Sequence, residues 1–215
     1  MIKEEIIKRI LSTIILIPTV LFFIIKGSFL FNFFIFICFL ITTYEWLKLS
    51  KNNLFKVFGT IFIVISFYTI FKIRNEFDRD YFHLLLVVII CVSTDIGGYV
   101  FGNIFKGPKL TKISPKKTYS GVIGSFLLSL IFTNLFLDFL SNVETFEFTK
   151  EMFLFILLVS LVSQIGDIII SYFKRKSKIK DTGTIIPGHG GILDRIDGMI
   201  FALPFAYVFF LNFNF

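Results

Sequence analysis

Cysteine, alternating polarity and polar linkers are all scarce in this sequence. The 215 residues include two cysteines, Cys38 and Cys91, and both lie inside apolar runs, so no disulfide framework is implied and apolar packing is favoured for both. Short segments of alternating hydrophobicity between turns are absent, which argues against a transmembrane β-barrel. Apart from an excess of phenylalanine there is no low-complexity linker, internal repeat or second domain, and we expect a single domain, 1–215.

Apolar residues are abundant instead. They make up 55% of the chain, against about 45–50% in soluble domains, and phenylalanine alone supplies 32 residues. Apolar runs recur that are about as long as the ~20 residues a helix needs to cross a bilayer, and helices satisfy their own backbone groups in lipid. The first run lacks a small-residue cleavage site followed by a soluble domain, so we expect a retained helix. The sequence therefore predicts an all-α polytopic membrane protein with about seven transmembrane helices. The predicted spans are Lys8–Ile25, Phe29–Leu47, Leu54–Ile73, Phe82–Gly102, Tyr119–Leu140, Met152–Phe173 and Ile192–Phe213.

Basic residues are distributed unevenly between the segments that connect these spans. With the N-terminus inside, sixteen lysines and arginines fall in inside segments and five in outside segments. Basic residues concentrate on the cytoplasmic side of membrane proteins. The split therefore places the two longest basic loops, 106–117 and 174–180, in the cytoplasm.

Charged side chains inside apolar spans are costly, so each of them needs a reason. Asp138 lies near the outer end of its span, where interfacial water explains it. Glu45 lies near the inner end of its span beside Trp46, and an aromatic anchor with a solvated carboxylate explains it as well as a functional role does. The other candidates inside spans are Asp95, Asp167, Asp194, Arg195 and Asp197.

Asp194 and Asp197 are three residues apart, so both carboxylates point to one face if the segment is helical. Two bare carboxylates there would repel each other, and a hard divalent cation such as Mg²⁺, which prefers oxygen ligands, would remove that penalty. Asp167, near the inner end of the preceding span, is a candidate third ligand. A network of the carboxylates with Arg195 and Lys174 is the alternative, and the spacing alone does not decide between the two.

A glycine-rich turn, Pro187-Gly188-His189-Gly190-Gly191, comes directly before the acidic pair. Its glycines allow the backbone to approach a ligand closely, and the start of the following helix would offer free N–H groups to an anion. The pairs Lys174-Arg175 and Lys180-Asp181 precede the turn. Cations, a glycine turn, a helix start and paired carboxylates within one short stretch are what phosphoryl or nucleotidyl transfer needs.

A second cluster, Ser114-Pro115-Lys116-Lys117-Thr118, precedes the fifth span. Pro115 stiffens the turn, and the lysines and hydroxyl groups suit a phosphate group. An ordinary topology signal with an N-cap for the fifth span is the alternative, and the cluster by itself favours that alternative. Asp95 and Tyr99 lie one turn apart in the fourth span, which leads into this loop.

The segment that follows the sixth span resembles the complete signature of the phosphatidate cytidylyltransferase (CDP-diacylglycerol synthase) family. It reads Ser171-Tyr172-Phe173-Lys174-Arg175, then after four residues Lys180-Asp181-Thr182-Gly183, and finally Ile186 to Asp197. The Ser114–Thr118 loop, the helix that carries Asp95 and Gly98-Tyr99, and the pair Glu45-Trp46 resemble the same family. The chain departs from the family in a short Leu49–Phe82 region, in Ile170 where an acidic residue is common, and in Ser120 where an acidic or amide residue is common.

The resemblance implies a cytidylyltransferase of the inner (plasma) membrane, with a polar cavity that opens to the cytoplasm and a catalytic signature at 171–198. Such an enzyme transfers CMP from CTP to phosphatidic acid and uses Mg²⁺, with Mn²⁺ as the alternative and a second cation allowed. Family members work as homodimers among membrane lipids, and no nucleic-acid partner is expected. Rival functions are a CTP-dependent lipid-alcohol kinase and an anion transporter. The transporter would need polar residues along a whole path across the bilayer, whereas the outer halves of the sixth and seventh spans are almost purely apolar.

The chemistry and the resemblance together assign roles to individual residues. The predicted catalytic residues are Asp167, Lys180, Asp181, His189, Asp194 and Asp197, of which Asp167, Asp194 and Asp197 are the predicted metal ligands. The predicted substrate contacts are Asp95, Tyr99, Ser114, Lys116, Lys117, Thr118, Lys174, Arg175, Gly190, Gly191 and Arg195.

Overall fold

The structure is a computed structural model and describes residues 2–77, 81–111, 114, 116–141 and 148–212. Within these ranges the chain forms helices and connecting turns, and it pairs as β-structure only at two isolated bridges. The helices are α1 (Ile2–Lys26), α2 (Ser28–Leu49), α3 (Asn53–Glu76), α4 (Phe82–Ile104), α5 (Tyr119–Ser141), α6 (Lys150–Lys176), α7 (Leu193–Ile196) and α8 (Met199–Asn212). The predicted all-α fold is therefore confirmed.

Six of these helices, α1 to α6, are long and apolar enough to cross a membrane. They coincide with the first six predicted spans, because a run of about 20 apolar residues has the length of the bilayer core when it is helical. Lipid-facing apolar side chains account for the many large hydrophobic residues that are exposed along α1 to α6. The chain is an integral, polytopic membrane protein.

The seventh predicted span, Ile192–Phe213, is wrong as a single helix. A short helix, α7, ends at Ile196, and α8 begins only at Met199, while Phe213 lies outside the described residues. The 14 residues of α8 reach about 21 Å at ~1.5 Å per residue, against ~30 Å for the hydrocarbon core. Asp194, Arg195 and Asp197 thus belong to α7 and the turn after it, outside the apolar helix.

The contacts between the described residues define two compact units, and each is considered by itself. The first comprises Met1–Leu84 and Phe173–Asp197, and the second comprises Leu85–Tyr172 and Gly198–Phe215. In the first unit, α2 contacts α1, α3 and α7. The expectation of a single domain stays a prediction.

A one-residue turn at Gly27 joins α1 to α2 in the first unit. Gly27 has φ +60°, and a Cβ there would overlap the guanidinium group of Arg74. This buried guanidinium donates from Nε to the Ile24 carbonyl at 2.7 Å, so it satisfies a backbone acceptor at the end of α1. Glycine is needed here both for the left-handed backbone and for the space that Arg74 fills.

Small residues bring α4 and α5 close together in the second unit. A Cβ on Gly97 would overlap the backbone at Gly124. Ser125 donates its hydroxyl to the Thr94 carbonyl at 2.8 Å, and the Thr94 hydroxyl donates to Ser160 of α6 at 2.8 Å. Glycine, serine and threonine are the residues that allow membrane helices to approach and hydrogen-bond in this way.

Candidate functional site

The glycine-rich turn folds tightly on itself in the first unit. The Ile186 N–H donates to the Gly190 carbonyl at 2.9 Å, and the Gly190 N–H donates back to the Ile186 carbonyl at 3.1 Å. Gly188 and Gly190 have φ values of +74° and +87°. These left-handed conformations strain any residue with a Cβ, so the two glycines are required by the backbone of the turn itself.

Asp194 ties this turn to the segment before it. Its Oδ2 accepts from the Thr182 N–H at 2.7 Å and from the Gly191 N–H at 2.9 Å, and its Oδ1 lies 3.1 Å from the Lys174 ammonium. The Asp194 side chain is 3% exposed, so these contacts replace water almost completely. One carboxylate therefore fixes two backbone segments and also binds a lysine.

Asp197 reaches the same lysine. Its Oδ2 lies 3.4 Å from the Lys174 ammonium, and both side chains are largely buried. Asp194 and Asp197 thus face one cation, as their three-residue spacing predicted. The alternative carboxylate network is found with Lys174 but not with Arg195, whose Nε and Nη2 donate to the His189 carbonyl at 3.1 and 2.8 Å.

Asp167, the third predicted metal ligand, lies in the second unit. Its Oδ2 is 2.6 Å from the Lys117 ammonium, and its Oδ1 accepts from the Ser171 hydroxyl at 3.2 Å. Among the described residues, no group of three or more His, Cys, Asp or Glu side chains is arranged to hold a metal ion. The three-carboxylate metal site stays a prediction.

Glu45 belongs to this site, although it was not among the predicted site residues and its role was left open between a solvated anchor and a functional residue. Its side chain is 1% exposed, and its two carboxylate oxygens accept from the Thr182 hydroxyl at 3.1 Å, the Ile192 N–H at 3.1 Å and the Leu193 N–H at 2.8 Å. Of the two alternatives left open for Glu45, the solvated interfacial anchor is therefore wrong. The sequence signal for a buried role was an acidic residue within an apolar span. Its partners are far away along the chain, so residue spacing could not identify them.

The expectation of free N–H groups at the start of the following helix is also wrong. The Gly191 N–H donates to Asp194, and the next two N–H groups donate to Glu45. The start of a helix favours negative charge, and here the protein supplies that charge from its own side chains. An external anion would have to be bound by side chains near the turn and not by these backbone groups.

His189 is held against α1 by both ring nitrogens. Its Nδ1 lies 2.6 Å from the Ser12 hydroxyl and its Nε2 lies 3.3 Å from the Thr13 hydroxyl. Arg9 of the same helix donates from Nε to the Gly188 carbonyl at 3.0 Å. In this arrangement the predicted catalytic histidine connects the glycine-rich turn to the N-terminal helix.

The environment of His189 predicts a pH dependence of stability. Partial burial, followed by the positive charges of Arg195 and Arg9, lowers the pKa of the His189 imidazole below its usual ~6.5. A lowered folded-state pKa means that the unfolded chain binds the proton more tightly, so this contribution to stability is present above pH ~6.5 and is lost as the pH falls toward the folded-state pKa. We expect His189→Gln to be less stable at pH 7.5 but to lose less stability than the wild type between pH 7.5 and 5.5, measured by thermal unfolding in detergent. Identical losses in the two proteins would contradict this expectation.

The residues of the Ser114–Thr118 cluster have different roles in the structure. Thr118 accepts the Gly121 N–H at 3.1 Å and so caps α5, as the alternative interpretation required. Lys117 is half-buried and ion-paired with Asp167, whereas Lys116 is exposed. The Ser114 carbonyl accepts the Lys117 N–H at 3.0 Å, and Pro115 lies outside the described residues. Lys117 is not freely exposed, because Asp167 of α6 supplies its counter-charge.

The remaining predicted site residues are mostly exposed. Asp95 and Tyr99 are exposed on α4 in the second unit. In the first unit, the exposed residues are Arg175, Lys180 and Asp181, which lie close in sequence to the largely buried Lys174. Exposed cations near the turn are suited to binding a polyanion such as a nucleoside triphosphate, since they neutralise its negative charge without needing to be desolvated. Ile170, where family members commonly have an acid, is buried.

Comparison with known proteins agrees with this chemistry. A protein of Rickettsia felis named phosphatidate cytidylyltransferase is 35% identical over 211 residues, which cover 95% of this chain and 92% of that protein. Proteins of the same name from Haemophilus influenzae and Staphylococcus saprophyticus are 35% and 33% identical over 75% and 76% of this chain, and the matches cover 59% and 64% of those longer proteins. Residues 51–213 match the model of the Cytidylyltransferase family, and the chain belongs to that family.

Proposed function

We propose that this chain is a membrane-embedded phosphatidate cytidylyltransferase, which transfers CMP from CTP to phosphatidic acid and forms CDP-diacylglycerol and pyrophosphate. The observation that carries the proposal is the buried cluster of Lys174, Asp194 and Asp197, which is tied to a rigid glycine-rich turn within the family match. Relatives that cover most of the chain bear the name of this reaction.

The reaction needs charge neutralisation and positioning more than covalent chemistry. A phosphate oxygen of phosphatidic acid attacks the α-phosphorus of CTP. The bond from that phosphorus to the oxygen that bridges it to the β-phosphorus breaks, and pyrophosphate leaves with this oxygen. In this proposal the exposed Arg175 and Lys180 neutralise phosphate charge beside the turn, while Lys116 and Lys117 contact the phosphate of the other substrate. His189 and Arg195 keep the turn in shape through the contacts described above.

We also propose Mg²⁺ as the cofactor, held by Asp194 and Asp197. The donor chemistry fits, because two carboxylates share a single ammonium group and so keep a net negative charge, and Mg²⁺ prefers carboxylate oxygens. When bound, the ion would supply charge stabilisation for the phosphates during transfer. Asp167 as a third ligand rests on its place near the inner end of the sixth span, and a second cation and a homodimer rest on the resemblance alone.

Position-specific labelling of CTP tests the reaction. Purified protein in detergent micelles with phosphatidic acid and Mg²⁺ should incorporate label into lipid from α-³²P-CTP and not from γ-³²P-CTP. A lipid-alcohol kinase would show the opposite pattern with a polyprenol acceptor, because a kinase transfers the terminal phosphate. Incorporation of neither label would contradict the proposed function and leave the transporter as its rival.

Lys117 offers a test of the second cluster. We expect Lys117→Ala to lower turnover, because the residue both places positive charge near the substrates and pairs with Asp167 at 2.6 Å. Loss of stability should be limited to roughly 1 kcal/mol or less, since both side chains are about a quarter exposed and water screens the pair. Lys109→Ala, in the same loop and exposed, is the matched control. Unchanged kinetics for Lys117→Ala would reduce the cluster to a topology signal and helix cap.

We further propose that the signature loop faces the cytoplasm of a bacterial inner membrane, on the strength of the sixteen-to-five distribution of basic residues. In a background with Cys38 and Cys91 replaced by serine, single cysteines at Lys109 and Lys178 should react with an impermeant thiol reagent only after the cells are opened. A cysteine at Phe77, between α3 and α4, should react in intact cells. Labelling of Lys178→Cys from outside would contradict the orientation.

A further inference from the structure

Glu45 is a buried carboxylate inside an apolar span, and its partners all lie in one loop. The side chain comes from α2, is 1% exposed, and accepts one hydroxyl and two backbone N–H groups from the segment 182–193. A buried charge is tolerated only when hydrogen bonds replace its lost hydration. Three donors meet that requirement, so the loop and the carboxylate depend on each other.

Two glycines make the space that the carboxylate occupies. A Cβ on Gly183 would lie 2.5 Å from Glu45 Oε1, and a Cβ on Gly191 would overlap both carboxylate oxygens. Neither glycine has a positive φ that would explain its presence by backbone conformation. Both ends of the loop are therefore shaped to close around Glu45.

Glu45 and Asp194 hold the same loop from two sides. Thr182 donates its hydroxyl to Glu45 at 3.1 Å and its N–H to Asp194 at 2.7 Å. The Leu193 N–H, which donates to Glu45 at 2.8 Å, belongs to the residue directly before Asp194. A displacement of Glu45 would consequently shift the backbone of Asp194, whose other carboxylate oxygen binds Lys174.

We propose that Glu45 is a positioning residue for cytidylyl transfer: it sets the register of the glycine-rich turn and of Asp194 against Lys174. The proposal rests on the proposed function, and Glu45 itself touches no reacting atom. The buried carboxylate acts through two links, the hydroxyl of Thr182 and the paired N–H groups of Ile192 and Leu193.

The test is Glu45→Gln, which keeps the shape of the side chain but replaces one carboxylate oxygen with an NH₂ group. That NH₂ group then faces N–H or hydroxyl donors and cannot accept from them. We expect kcat per folded molecule to fall on the order of 100-fold, with a smaller rise in KM, because a misplacement of about 1 Å can cost that much. Glu76→Gln, at a largely exposed glutamate in α3, is the matched control and should keep wild-type kinetics. Thr182→Val should lower kcat and Thr182→Ser should restore it. The double variant Glu45→Gln/Thr182→Val should lose less than the product of the two single effects.

A purely structural role for Glu45 predicts a different result. Glu45→Gln would then yield less folded protein, but each folded molecule would turn over at the wild-type rate, and that outcome would overturn the proposal. Trypsin provides a readout that does not depend on activity, since Lys178 and Lys180 are exposed just before the 182–193 loop. Cleavage there should be faster in Glu45→Gln than in Glu76→Gln. If the wild-type protein transfers no CMP, the proposed function fails, whereas the trypsin comparison still decides the positioning: unchanged cleavage would overturn it.

Discussion

Asp197→Asn is expected to reduce cytidylyl transfer on the order of 1,000-fold while the protein remains inserted and folded. Asparagine keeps the shape of the side chain but removes a charge that we propose binds Mg²⁺, and metal stabilisation of phosphate charge is worth several kcal/mol. Asp197 is a cleaner target than Asp194. Asp194 Oδ2 also accepts two backbone N–H groups, so its replacement would disturb the turn as well.

The measurement is specific activity per folded molecule, titrated with Mg²⁺ and with a chelator. Asp138→Asn, at an exposed aspartate of α5, is the matched control for loss of one carboxylate and should behave like the wild type. The ion-pair network without a metal predicts that Asp197→Asn is less stable but turns over normally. Near-normal specific activity in Asp197→Asn, or wild-type activity that survives the chelator, would defeat the metal proposal.

Lys174→Met is expected to abolish activity and, in the absence of added Mg²⁺, to destabilise the protein by roughly 3–5 kcal/mol. The methionine keeps the length of the side chain but leaves two largely buried carboxylates, on Asp194 and Asp197, without their shared counter-charge. Removing one partner of a buried ion pair costs this much because the remaining charge stays desolvated. Like charges so close would also repel each other.

Two further variants separate the roles of Lys174. Lys176→Met, two residues along α6 and exposed, should stay within about 0.5 kcal/mol of the wild type. The double variant Lys174→Met/Asp197→Asn should recover part of the lost stability, since one of the two like charges is removed, but it should stay inactive. Thermal unfolding in detergent measures the first quantity and labelled CTP the second. A Lys174→Met protein as stable as the wild type would show that the carboxylates do not depend on this lysine.

Six of the seven predicted spans could be identified from the sequence because the constraint on them is local. A helix that crosses a bilayer needs about 20 consecutive apolar residues, so each span can be recognised from one continuous stretch of sequence. The same holds for the signature, whose cations, glycines and carboxylates lie within one segment, and for the shared face of Asp194 and Asp197. The broken seventh span escaped prediction because a continuous helix through Asp194 and Gly198 satisfies the same apolar pattern.

The partners of the charged groups were decided only by the tertiary structure. Glu45 and Leu193 are 148 positions apart, so no spacing rule connects that carboxylate with the loop it holds. Lys117, in the loop before α5, and Asp167 of α6 likewise form a pair between segments that are distant in sequence. A buried charge is paired with whichever donors the fold brings within about 3 Å. The sequence by itself therefore determined only which chemical groups this protein has and which segments are apolar enough to cross the membrane. Packing of distant helices decided which of those groups are left for a ligand and which are used to build the site.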